Sequence, residues 1–179
     1  MTTPIPATAL RSPKNLLAAV VARIEHDGTL WDIEDTEEPA PNTFTCWGQR
    51  SWQQLIRLAD RCGTTLCAAG YTADLAGRKW LVTVGDDGGA LLAGEPTTWD
   101  TASYNTGYVL AEESDPEHEV ITVSGHRVVR VQDVAVRLLG LERQTVYGKF
   151  GNPLDVPHPL FAPDNTLDDL KAWLDRLPD

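Results

Sequence analysis

Lys79-Trp-Leu-Val-Thr-Val84, then Gly85-Asp-Asp-Gly-Gly89, then Ala90-Leu-Leu-Ala93: two aliphatic and β-branched runs are joined by five turn residues. Side chains of the first kind fit a pleated, half-buried surface, and glycine with aspartate supplies the reversed backbone of a hairpin. The stretch therefore predicts a β-hairpin. Outward from it, Thr64 to Tyr71, Tyr108 to Ala111 and Glu119 to Val123 are further strand candidates, and Ser124-Gly125 turns the last into Arg127 to Arg130. An antiparallel meander is expected across the middle of the chain.

Helices are expected on both sides. Ser12-Pro13 joins an N-cap to a proline at the first helical position, and Leu16, Leu17, Val20, Val21 and Ile24 then share one face before Gly28. Thr43 to Trp47 is a short strand candidate, and Ser51 caps a second helix with Trp52, Leu55, Ile56 and Ala59 inward and Gly63 at its end. Val131, Val134, Ala135, Leu138 and Leu139 form an i, i+3, i+4, i+7, i+8 stripe that stops at Gly140. Thr166 with Asp169 approximates a capping box for a last helix with Leu167, Leu170, Leu174 and Leu177 inward. Residues 1–11 are expected to be flexible, 31–42 an acidic proline-containing loop, and 151–165, with four prolines, irregular. The sum is a single α+β domain over 1–179, a central antiparallel or mixed meander with helices mainly on one face.

At 179 residues, 42% apolar and 23% charged, the composition is that of an ordinary globular protein with one core. A net charge of −11 opposes non-specific binding of polyanions by the whole surface. Three cysteines, Cys46, Cys62 and Cys67, form an odd set in apolar or helical surroundings, which suits a reducing cytoplasm. No apolar run is long enough to span a membrane.

Charge is distributed unevenly. Residues 46 to 79 hold five basic and two acidic side chains, 80 to 120 none and nine, and 121 to 150 five and two. Acids interleaved with aromatics suit a basic partner protein, because opposed fields steer encounter and aromatics anchor interfaces. The candidate partner-binding residues are Asp86, Asp87, Trp99, Asp100, Tyr104, Tyr108, Glu112, Glu113, Asp115 and Glu117. In size, acidity and element order the chain is loosely similar to bacterial immunity or antidote proteins and to small phage-encoded host-interaction proteins. That resemblance implies a non-catalytic module that inhibits or recruits its partner.

A second pattern runs from Val131 to Phe150. It resembles the helix-turn-helix of excisionase or MerR-type DNA-binding proteins, in which an alanine, a turn glycine and an Arg-Gln-Thr-Val-Tyr opening recur. The resemblance implies a DNA-binding accessory factor in which Arg143, Gln144, Thr145, Tyr147 and Lys149 meet a groove and its phosphates. Two departures stand out: Ala135 sits five residues before Gly140 with Val136 in the family's place, and Gly148 interrupts the second helix.

Catalytic, metal and cofactor signals are absent from the sequence. Glu117-His118-Glu119, read as a strand, sends His118 away from its neighbours. Cys62 and Cys67 have no second pair, and His26, His126 and His158 lack ligand spacing to them. Ser124-Gly125 reads as a turn rather than a nucleophile elbow. No catalytic residue, metal or cofactor is expected.

Overall fold

The computed structural model describes residues 12–31, 67–85, 87–147, 151, 153–162 and 165–178. The expected flexible start at 1–11, the acidic loop after residue 31, the strand Thr43 to Trp47 and the helix from Ser51 to Gly63 lie outside them.

Helix α1 (Pro13–Trp31) starts at Ser12, whose Oγ accepts the Asn15 amide at 3.2 Å. Its stripe of Leu16, Leu17, Val20, Val21 and Ile24 is buried as expected. It does not stop at Gly28 but runs to Trp31. A glycine inside a helix costs only about 1 kcal/mol, which a packed helix absorbs.

The expected strand Thr64 to Tyr71 is corrected where it is described: Ala68–Leu75 is helix α2. Thr and Tyr favour strands, but tertiary packing overrides so weak a preference. Ala68, Ala69, Gly70 and Ala73 are small and fully packed, and they let α2 approach α1 and the later helix α4 closely. Thr72 supports the turn by donating its hydroxyl to the Ala68 carbonyl at 2.8 Å.

The hairpin forms as expected, with strands β1 (Val82–Val84) and β2 (Ala90–Leu92) in antiparallel register. A third strand, β3 (Glu95–Thr97), follows through the two-residue turn Ala93-Gly94, both with positive φ. Pro96 fits there because an edge strand can lack an amide donor. Thr98 then caps a five-residue helix, α3 (Trp99–Ser103), by accepting the Thr101 amide at 3.2 Å. Strands β4 (Tyr108–Leu110), β5 (Ile121–Val123) and β6 (His126–Arg130) form a second sheet in the order β4-β6-β5. Ser124 and Gly125, with φ of 50° and 81°, make the reversed turn between β5 and β6. Glu119, expected in the strand, belongs to the preceding turn, and Val120 lies between that turn and β5.

The class is therefore α+β, as expected; among the described residues the strands form two three-stranded antiparallel sheets where one central meander was expected. Residues 79–81 link them, since Leu81 N–H donates to Tyr108 O and Leu110 N–H to Lys79 O. The helices pack on each other and, through Val109 and Val129, against the second sheet. β6 leads directly into α4 (Val131–Leu138), α2 packs against α1 and α4, and α5 (Leu167–Leu174) packs against α1. The core joins Leu17, Val20, Ile24, Tyr71, Val134, Leu139, Leu160 and Leu170 to Val109 and Val129 from the second sheet. Within the expected irregular stretch, Pro159–Phe161 forms one 3-10 turn.

Candidate interaction surface

The acidic segment divides in two. In its second half, Asp115 is buried with its side chain fully covered. Arg78 grips it in bidentate fashion, Nη1 on Oδ1 at 2.9 Å and Nη2 on Oδ2 at 2.6 Å. The Glu112 amide donates to Oδ2 at 2.7 Å, and Arg137 donates to Oδ1. Burial raises the Asp115 pKa, but the Arg78 hydrogen bonds, the Glu112 amide and the charges of Arg78 and Arg137 outweigh it and hold the carboxyl below its ordinary value.

Neighbouring acids are similarly engaged. Glu112 Oε1 lies 3.3 Å from Arg78 Nε, Glu119 accepts from Arg137, and Glu117 meets Arg127 at 2.6 Å on the surface. Of the acids expected to face a partner, Asp115 is covered and bound within the chain, whereas Glu112 and Glu117 keep exposed side chains while pairing with Arg78 and Arg127. Arg78 and Arg137 carried no signal in the sequence, because nothing local marks a partner 37 or 22 residues away. Glu113 is exposed and Tyr108 half-buried in β4.

The first half is different. Trp99 and Tyr104 stand at the two ends of α3, 54% and 80% exposed. Asp100 and Glu95 are exposed beside them in the chain, and Asp87 is exposed at the hairpin tip, where Oδ1 accepts the Gly89 amide at 2.9 Å. Asp86 lies outside the described residues.

The helix-turn-helix expectation is corrected. Gly140 ends α4 at φ +60°, but residues 141–146 are not helical and Tyr147 bridges to Pro153. The physical reason lies in its partners: the Gln144 amide donates to Pro157 O at 2.8 Å and Leu154 N–H to Val146 O at 2.8 Å, which holds the segment extended. Arg143 pairs with Asp133, Thr145 and Tyr147 are exposed, and Lys149 lies outside the described residues.

An open groove of about 640 Å³ lies between β5, the start of α4 and residues 154–157. Its charges already answer each other, Arg130 with Asp155 at 3.3 Å and Arg143 with Asp133. Glu117-His118-Glu119 forms a turn, not a strand, and its two acids go to different arginines. Among the described residues no cluster of His, Cys, Asp or Glu is arranged to hold a metal ion, and no helix is long and apolar enough to cross a membrane. Comparison with protein-family models, with curated proteins and with solved structures finds no match to this chain.

Proposed function

We propose that the protein is a non-catalytic binding module that applies α3 and the adjoining β1-β2-β3 sheet to a basic surface of a partner protein, inhibiting or recruiting it. One observation carries this reading: Trp99 and Tyr104 are left largely in water at either end of a short capped helix. Tryptophan and tyrosine are the side chains that most often dominate binding energy, and covering them yields a large apolar gain. The surrounding charge supports the sign of the partner. Asp87, Glu95 and Asp100 are exposed in a stretch with no Lys or Arg from Trp80 to His126, so approach of a cationic surface is favoured. Asp115, whose side chain is covered and bound by Arg78 and Arg137, contributes nothing to this surface.

The test is capture from a bacterial lysate at low and high salt, using the wild-type protein and the double variant Trp99→Ala, Tyr104→Ala. A basic protein retained at low salt, released at high salt and lost with the double variant is the expected result. Capture that survives both substitutions, or capture of nucleic acid alone, overturns the reading.

A further inference from the structure

His158 is buried to 2% exposure in front of the 3-10 turn Pro159–Phe161, and its Nδ1 accepts the Leu160 amide at 3.1 Å. An imidazole nitrogen that accepts an N–H is unprotonated, so the ring is the neutral tautomer with its proton on Nε2. The ring meets Trp173 of α5 edge-on at 4.9 Å between centroids, and Phe161 at 6.3 Å. Leu160 and Phe161 are core residues, and Asn165 ties the turn to the start of α5 by donating to Pro159 O and Leu160 O at 2.8 Å each. One side chain thus caps the turn and abuts the last helix.

We propose that His158 is a proton-operated latch, whose protonation frees the 3-10 turn and α5 from the rest of the core. A proton on Nδ1 converts the acceptor into a donor, so that it and the Leu160 N–H then oppose each other, and it places a full charge where the ring is covered. Among the described residues, the groups around it do not compensate. The 3-10 turn carries no charged side chain, and Asp74 of α2 and Asp168, Asp169 and Lys171 of α5 are all exposed. Glu25 of α1 is engaged with Lys171, and Asp155, upstream of the turn, with Arg130. Arg176, stacked over the Trp173 ring at 4.6 Å, has the same sign as a protonated imidazole. In agreement, burial holds the His158 pKa below its ordinary value.

The sign follows from linkage. A folded pKa below the unfolded one means that docking is undisturbed above about pH 6.5 and weakens as pH falls from there through the folded value, by about tenfold for each pH step between the two values. The experiment is amide hydrogen exchange of the full chain between pH 7.5 and 5, corrected for intrinsic exchange. Leu160, Leu170 and Lys171 are expected to lose protection roughly tenfold or more while Leu138 at the end of α4 and Leu139 after it keep theirs. The His158→Gln variant, which retains an acceptor oxygen but no titration in this range, is expected to abolish that difference. Uniform loss across α4 and α5, or unchanged protection of Leu160, overturns the latch. Ring titration of His158 by NMR in the wild type decides the matter should the variant not fold: an ordinary or raised pKa likewise overturns it.

Discussion

Arg78 binds both carboxylate oxygens of Asp115 in a buried bidentate pair that spans 37 residues of sequence. It joins the end of α2 to the turn before β5, and Arg137 of α4 closes on the same carboxylate from the other side. The covered carboxylate is thus a point where three segments meet.

Removing one member of this set is expected to cost more than removing both. Asp115→Ala leaves the Arg78 guanidinium buried without its main counter-charge, and Arg78→Ala leaves a covered carboxylate on Arg137 alone. Each single substitution is expected to destabilise by about 3–5 kcal/mol, whereas Arg78→Met with Asp115→Leu recovers much of the loss, because well-packed apolar replacements avoid the desolvation of both charges. Urea unfolding of the two single variants and the pair measures this. A double variant as unstable as the sum of the singles contradicts it.

The same carboxylate sets an acid limit. Its pKa is lowered in the folded state, so its contribution is complete above the unfolded value of about 4 and disappears as pH falls through the folded value. Stability measured in urea at successive pH values is expected to drop steeply below about pH 4 in the wild type. Asp115→Asn, already weakened at neutral pH, is expected to have a shallower slope over that window. An identical slope in both proteins assigns acid sensitivity to other carboxylates.

Local chemistry made much of the fold legible, and long-range packing hid the rest. The α4 stripe, the Thr166-Asp169 box and the turns at Gly85–Gly89 and Ser124-Gly125 are all decided within a few residues, and the structure contains them. Helix α2 was not legible because its small residues matter only once α1 and α4 lie against them. Strand β3 and helix α3 were missed although Thr98, three residues before Thr101, is a cap signal, because Pro96 reads as a loop residue. The acidic segment is the sharpest case. Its charges run together in sequence, yet Asp115 and Glu119 turn toward arginines from other elements while Trp99 and Tyr104 remain outside.

Those two aromatics are expected to matter more for binding than for folding. At 80% exposure Tyr104 buries little against its own chain, whereas Trp99, at 54%, is nearly half covered. Tyr104→Ala should change unfolding free energy by no more than about 0.5 kcal/mol, the usual range for surface substitutions, and Trp99→Ala by no more than about 1–2 kcal/mol, because part of its ring is covered. Thermal and urea unfolding check this directly. A loss of several times that size in either variant assigns the side chain to the fold and removes it from the docking surface.

The cap of α5 offers the last comparison. Thr166 Oγ1 accepts the Asp169 amide at 3.2 Å, and Asp169 Oδ2 accepts the Thr166 amide at 2.8 Å and its hydroxyl at 2.7 Å. These bonds from Thr166, side chain first and backbone second, hold the Asp169 pKa below its ordinary value. Thr166→Ala removes the acceptor for the first turn and one donor to the carboxylate, so a loss of about 1 kcal/mol is expected in urea unfolding. NMR titration of the Asp169 carboxyl is expected to show its pKa rising in the variant, because the larger of the two bonds that stabilise its charged form has gone. An unchanged Asp169 titration together with unchanged stability means that water replaces the cap without cost, and that α5 is held by side-chain packing such as that of Leu167 and Leu170.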